Sequence, residues 1–462
     1  MSPEAPSLSV LRAVDSGGKS RDLDELAAEL LCVESEFVAI VSAGGLLRGD
    51  FASRVGEWIV SCDDTDVLYC DEVFVGVTGD PEPVLKPDFD AERLRCQFYF
   101  GSVVLYRMSL IRTLGGLRAE FRGAALYDLA LRASRAARSI AHTTDQLFEG
   151  DAPVRLGAVE QRDLPLVRTV LEQHLAATGG GVVEEAHADG VHDTHRTVVG
   201  QPLVSIIIPT RGLWSFDGGE RKSLIVEAVR SIEALSTYRA IEYVVVYDTV
   251  AESEILEALS AECGPRLRLV EWTDSFNFSG KINLGAVNSS GEYLLVLNDD
   301  VELITPGWIE AMLALAQLPG AGMSGCMLYY EDETIQHAGH GYWRGDATHI
   351  GMFEPRNSAG PLDGYRVERR VLGVTAACAL MPRAVYFEVG GMTTLLPGNF
   401  NDVDLCMKVT TAGHQIYWTP RASLYHYESK TRIAAVRKYE VDVAWGRWGS
   451  RMHDPRFWPY AV

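Results

Sequence analysis

The sequence predicts an α/β protein with helices packed on an open sheet, and three observations carry that prediction. Glu292–Leu303 reads E-Y-L-L-V-L-N-D-D-V-E-L, an apolar run that ends in paired carboxylates. Such a run is the pattern of a strand buried on both faces, whose carboxyl end presents ligand-binding groups at the rim of the sheet. Residues 202–209, P-L-V-S-I-I-I-P, form a second buried strand; Leu224–Leu235 has helical spacing, and Ile241–Tyr247 is a strand that delivers Asp248. Strand, helix, strand in that order opens a right-handed β-α-β crossover. The apolar pattern then recurs near the start of the chain, at Glu36–Leu47.

Asp299 and Asp300 are adjacent, and two neighbouring carboxylates repel unless water, a cation or a hydrogen-bond donor stands between them. A divalent metal holding a nucleoside diphosphate satisfies that need, as does a solvated turn. The 462 residues and 47% apolar composition suit two or three domains, each with its own core. A net charge of -21 argues against nucleic acid or an anionic bilayer as a whole-surface partner. No stretch reaches the roughly 18 apolar residues of a membrane span, and the N-terminus lacks a basic-then-apolar signal. Eight scattered cysteines without a C-x-x-C pair point to a reduced, cytoplasmic protein. Residues 178–200 are rich in glycine and polar residues, include His187, His192 and His195, and read as a linker. The first domain is therefore expected over 1–177, the second over 201–432, and an aromatic helical tail over 433–462.

The motifs after residue 200 come in a telling order: V-S-I-I-I-P-T-R (Val204–Arg211), F-N-F-S-G-K-I-N-L-G-A (Phe276–Ala286), L-N-D-D-V-E-L (Leu297–Leu303) and I-Q-H-A-G (Ile335–Gly339). They continue with V-T-A-A-C (Val374–Cys378), E-V-G-G-M (Glu388–Met392), F-N-D-V-D-L-C (Phe400–Cys406) and Y-H-Y-E-S (Tyr425–Ser429). In this series the chain resembles the family-2 inverting glycosyltransferases, and among them rhamnosyltransferase-like enzymes of bacterial surface polysaccharide. The resemblance implies a GT-A fold, a Rossmann-like mixed sheet flanked by helices. It also implies Mn²⁺ or Mg²⁺, a nucleotide-diphosphate sugar donor and a glycan or lipid-linked glycan acceptor. Such an acceptor would bring a cytoplasmic enzyme to the inner face of the membrane in peripheral contact, with self-association a further expectation.

By the same resemblance Asp300 and His426 are the metal ligands, while Asn298 and Asp299 face ribose, sugar or metal-bound water. Hard oxygen ligands suit a cation that assists a departing phosphate. Inversion then needs one base on the opposite face of the sugar, and Asp402 falls at the family's base position. Asp404 is expected to be structural or to orient the acceptor. Thr210, Arg211, Asp248, Lys281 and Asn283 fall to donor binding; Gln336, His337, Trp343, Arg344 and His349, in the loops after Ile335, fall to the acceptor. The donor side departs from the family pattern at Gly212 and at Thr249-Val250, which leaves the nucleobase open.

Set beside Glu292–Leu303, residues 36–47 keep the strand and closing Leu but carry Ser42, Ala43 and Gly44 where Asn298, Asp299 and Asp300 stand. Leu126 takes the slot of Asp402, and Leu147-Phe148-Glu149 offers no counterpart of His426. The N-terminal region thus resembles a truncated, degenerate, non-catalytic GT-A-like domain, with no evident first β-α-β unit in residues 1–30. Two other functions fit less well. A sugar-nucleotide-binding pseudoenzyme would not need Asp300, Asp402 and His426, and a nucleotidyltransferase would open with a glycine-rich phosphate loop that Val204–Gly212 lacks.

Overall fold

A computed structural model describes residues 7–14, 21–62, 64–75, 80–150, 156–217, 220–427 and 436–460. The chain divides into two compact units: Met1–Arg196 with Pro361–Val367 and Trp458–Tyr460, and Thr197–Gly360 with Glu368–Phe457 and Ala461–Val462. Among the described residues no helix is long and apolar enough to cross a membrane.

The first unit is built on strands β1 (Leu8–Arg12), β2 (Phe37–Val41), β3 (Leu46–Leu47), β4 (Val67–Val75), β5 (Pro81–Val84), β6 (Val103–Arg107) and β7 (Ile140–Gly150). Their order across the sheet is β1-β2-β6-β4-β7-β3, with β5 on β4. A short hairpin, β8 (Val182–Glu185) and β9 (Asp193–His195), follows.

The second unit has β10 (Val204–Thr210), a hairpin of β11 (Ser215–Asp217) and β12 (Glu220–Lys222), then β13 (Ile241–Asp248), β14 (Leu267–Trp272), β15 (Tyr293–Leu297) and β16 (Val301–Leu303). It continues through β17 (Ala321–Tyr329), β18 (Ile335–His337), the hairpin β19 (His340–Trp343) and β20 (Asp346–His349), β21 (Arg369–Val371), β22 (Cys378–Pro382) and β23 (Gln415–His426). The main sheet runs β14-β13-β10-β15-β22-β17-β23-β16, with β18 on β17 and β21 on β23. β10 is parallel to both β13 and β15, and every one of its residues is buried. A run of Val and Ile is what a strand covered on both faces requires. The helix Leu224–Leu235 covers one face through Ile225, Val226, Ala228, Val229 and Ile232, the three-and-four spacing of an amphipathic helix.

The two sheets share one wiring. β1-β2-β6-β4-β7-β3 repeats β10-β15-β22-β17-β23-β16, and each corresponding pair runs in the same sense. Among the described residues the first sheet has no counterpart of β13, β14 or β21. The N-terminal sequence does contain a β-α-β unit, contrary to expectation: β1, the helix Leu23–Leu31, then β2 parallel to β1. Its short strand, with Ser9 and Arg12, hides the apolar signal. Register fixes the correspondences. Ser42 N–H donates to Ser102 O at 2.8 Å, and Asn298 N–H to Ala377 O at 3.0 Å, so Ser42 stands for Asn298. Leu47 pairs with Phe148 as Leu303 pairs with Leu424, which puts Gly150 in the place of His426.

A buried ion pair fills the middle of the first unit. Lys86 Nζ lies 2.7 Å from Glu72 Oε1 and donates to the carbonyls of Cys70 (2.6 Å) and Phe100 (2.8 Å). Ser102 N–H and Oγ–H donate to the same carboxylate, and both ionic side chains are fully buried. Phe100 and Ser102 are by register the counterparts of Thr375 and Ala377 in the second unit. Gly101, at φ +90°, leaves room for the pair, since any side chain there would overlap both Lys86 and Glu72. Lys86→Met removes the cation and strands a buried carboxylate, at a cost of about 3–5 kcal/mol. Amide exchange of β4 and β6 in the full chain is expected to speed up by roughly 10²–10³-fold; unchanged protection would refute this role.

The stretch expected as a linker, 178–200, is instead largely folded. Val183, His192 and Thr194 are buried, and Arg196 holds Glu92 with two bonds of 2.7 and 3.0 Å. Arg196 and Thr194 find their partners about a hundred positions away, in Glu92 and Arg95, while His187 and His195 pair within the stretch itself. The expected tail contains the helix Lys438–Trp448, while the boundary at 432–433 lies outside the described residues.

Candidate functional site

A cleft of about 860 Å³ opens in the second unit, where the carboxyl ends of β10, β13 and β15 meet the loop before β22 and the start of the helix Asn401–Thr411. Thr210, Arg211, Asp248, Lys281, Asn298, Asp299, Asp300, Asp402 and His426 all line it. Nine residues separated by more than two hundred positions therefore share one cavity.

At the donor end, Asn277 caps the helix Phe278–Val287 by accepting from Gly280 N–H at 2.8 Å. The first turn thereby places Lys281, whose Nζ sits 2.5 Å from Asp248 Oδ1 and donates to Thr210 O at 2.8 Å. Burial pulls the Lys281 amine below its ordinary range, opposed by Asp248. Thr210 Oγ donates to Asp299 Oδ2 at 2.6 Å. Burial, then the neighbouring Asp300 carboxylate, pushes the Asp299 carboxyl well above the usual range. Arg211 is exposed on the rim.

The pairing of β16 with β23 sets Val301 opposite His426 and so brings Asp300 beside that ring. His426 Nε2 lies 3.2 Å from Asp300 Oδ1 and 3.0 Å from Asn298 Nδ2. Its Nδ1 is 2.7 Å from Gln336 Oε1, and Gln336 Nε2 donates to His426 O at 3.2 Å. The second bond fixes which end of the Gln336 amide is oxygen, so Nδ1 carries the hydrogen and Nε2 a lone pair. That lone pair accepts from Asn298 Nδ2–H and lies beside a carboxylate oxygen, an acceptor next to an acceptor. A cation between them resolves the conflict, so imidazole and carboxylate fit Mn²⁺ or Mg²⁺.

Asp402 lies in the first turn of the helix Asn401–Thr411, where the helix dipole favours a carboxylate. Val403 N–H donates to its Oδ1 at 2.8 Å and Ala376 N–H to its Oδ2 at 3.3 Å. The residue before this helix, Phe400, adopts φ +57°, strained for a non-glycine residue, and its ring packs edge-on against Trp445 at 4.8 Å. The aromatic tail thus braces the turn that presents Asp402.

Four expected site residues are committed elsewhere. Asn283 spends its amide on Tyr386 Oη, Met392 N and Met392 O, so it ties two segments together and does not meet the cleft. Asp404 is fully buried and bound by Thr393 Oγ, Trp448 Nε1 and Arg447, which leaves nothing for an acceptor. His337 is buried, with Nε2 accepting from Thr375 N–H at 3.2 Å. Trp343 packs on His453 away from the cavity lining. Gln336 and His349, expected on the acceptor side, do line the cleft, and it gains His340 and Phe400 as well.

His337, His340 and His349 gather their ring nitrogens within 4.8 Å. Because His337 Nε2 already accepts, Nδ1 is its N–H and offers no lone pair to a metal. His340 Nε2 lies 3.9 Å from Asp402 Oδ2, and burial holds its ring down to about 4, so it is neutral beside the carboxylate.

Residues 205–388 match the family described as glycosyl transferase family 2. Over that region the chain is similar to the family-2 glycosyltransferases. It is 33% identical over 439 residues to the uncharacterized protein y4gI of Sinorhizobium fredii, covering 90% of this chain and 47% of that protein. It is 30% identical over 441 residues to the O-antigen biosynthesis protein RfbC of Myxococcus xanthus, covering 92% of this chain and 33% of that one. The chain therefore spans half or less of the length of these curated relatives. Among solved structures, it is similar to GalNAc-T7 with UDP, GalNAc and Mn²⁺ (TM-score 0.42, 14% identity, 56% of this chain and 50% of that one). It is also similar to the Pyrobaculum calidifontis mannosyltransferase PcManGT with GDP-Man and Mn²⁺ (TM-score 0.36, 17% identity, 51% and 60%).

Proposed function

We propose that the second unit is a metal-dependent, inverting glycosyltransferase that moves a sugar from a nucleoside-diphosphate donor to a glycan hydroxyl. The observation that carries this reading is the single cleft shared by Asp300, His426 and Asp402, with Asp248 and Lys281 at its other end. Mn²⁺ or Mg²⁺ held by Asp300 and His426 would supply Lewis-acid assistance to the departing diphosphate. Asp248 is suited to ribose or base hydroxyls, and Lys281 holds it in place through the 2.5 Å contact. Asp402 accepts the proton of the acceptor hydroxyl as that oxygen bonds to the anomeric carbon. The bond from that carbon to phosphate oxygen breaks, and its electron pair leaves with the diphosphate. One carboxylate is enough because a second acid is not required at the leaving group.

The name of the RfbC relative favours surface-polysaccharide assembly, and with it a glycan or lipid-linked glycan acceptor reached from the cytoplasmic membrane face. The first unit is read as a non-catalytic copy. Ser42, Ala43, Gly44, Leu126 and Gly150 replace the reactive set, two strands of the nucleotide-binding half are missing, and the Lys86–Glu72 pair fills its interior.

The test is a panel of nucleotide sugars incubated with the purified chain and Mn²⁺. Slow release of nucleoside diphosphate from one donor, abolished by EDTA, is expected. Formation of a nucleoside triphosphate and a sugar 1-phosphate on addition of pyrophosphate would support nucleotidyl transfer instead, and binding of a donor without turnover would support a pseudoenzyme.

A further inference from the structure

We propose that Gln336 is a positioning residue for the metal site: its amide locks His426 in the tautomer that turns the Nε2 lone pair toward Asp300. This rests on the cation reading above and assigns a role to a residue that touches neither donor nor acceptor in that reading.

The backbone explains how a glutamine reaches this place. β17 and β18 are antiparallel, with Leu328 opposite His337 and Tyr329 opposite Ile335. Gln336 is the extra residue between those two pairs, a β-bulge. Bulges re-aim a side chain and recur beside active sites. The bulged residue's own carbonyl faces His349 Nδ1 at 3.2 Å, so its backbone acceptor is matched. Its side chain is 2% exposed and grips His426 twice, on the ring at 2.7 Å and on the backbone carbonyl at 3.2 Å.

Each half of that grip has a separate consequence. The bond to the carbonyl fixes the amide's orientation, and the bond to Nδ1–H then leaves only Nε2 able to bind a cation. An imidazole without this partner divides between two tautomers and rotates. A metal ligand whose second nitrogen is fixed loses less freedom on binding and is more basic. Asn298 Nδ2–H, at 3.0 Å, is the donor that the Nε2 lone pair accepts from without a cation, and a bound cation would take its place.

Mn²⁺ alone serves as the probe. Free Mn²⁺ is titrated by electron paramagnetic resonance against the wild-type chain and the variants His426→Ala, Gln336→Leu and Gln336→Glu. Gln336→Leu keeps the bulk but cannot accept from Nδ1–H, and is expected to weaken Mn²⁺ binding about 10–100-fold. Gln336→Glu restores an acceptor and should bind within a few-fold of wild type. Equal weakening in both variants would make Gln336 a packing residue and overturn the inference. Wild-type affinity in Gln336→Leu, with binding lost in His426→Ala, would also overturn it while leaving the metal reading intact. Wild-type affinity in His426→Ala would remove the metal reading and this inference together. Ring ¹⁵N shifts of His426 in the metal-free wild type keep the idea testable should a variant misfold. A single Nδ1–H tautomer is expected, and an even mixture would refute the lock.

Discussion

Asp402→Asn is expected to cut turnover by roughly 10²–10⁴-fold, the usual contribution of a positioned general base. The variant keeps the shape of the side chain and one acceptor oxygen, so a bond from Val403 or Ala376 N–H survives. It loses the ability to take a proton. Donor affinity, followed by thermal shift with the nucleotide sugar, should stay close to wild type, because Asp402 is bonded to Val403 and Ala376 N–H and to none of Asp300, His426 and Lys281. Near-normal turnover would remove Asp402 from the mechanism. A collapse of donor binding would instead make it a binding group.

Asp300→Ala should abolish measurable Mn²⁺ binding and with it the metal-dependent reaction. A metal contributes several kcal/mol to a departing phosphate, which corresponds to a rate loss of roughly 10²–10³-fold. The neighbouring carboxylate provides the contrast. Asp299 is bonded to Thr210 Oγ at 2.6 Å, and burial favours its neutral form. Asp299→Asn keeps the contact to Thr210 and should retain most Mn²⁺ affinity. Equal losses in the two variants would place the cation on both carboxylates.

Much of the second unit's architecture is legible in the chain itself. Val204–Thr210 and Tyr293–Leu297 are apolar runs of strand length whose burial on both faces follows from composition, and each delivers a polar group to the sheet's rim. What brings Asp300 to His426 is different in kind. It depends on Val301 pairing with His426 across 125 positions, and no local period reports such a register. That pair was accessible only through resemblance to a family. Asn283 lies off the cleft and Asp404 takes the structural one of its two expected roles; a polar residue in a first helical turn has the same signature whether it faces a ligand or braces a neighbour. Their partners, Met392 and Trp448, are distant in sequence. Gln336 was expected beside the acceptor, and its hold on His426 was not legible, since the bulge that aims it appears only once two strands are aligned.

The repetition of one wiring in two sheets has a consequence for assembly of the chain. Two copies of a pattern in one polypeptide can exchange equivalent segments while folding, a characteristic failure of repeat proteins. Loss of two strands left β1 at the border of its sheet, while β10 sits between neighbours on both sides. Their sequences have diverged to match: L-S-V-L-R is half-exposed and ends in arginine, whereas V-S-I-I-I-P-T is wholly buried. A charged, short border strand resists further pairing, and it cannot fill a dry central slot. The difference between the two strands thus keeps each out of the other's place.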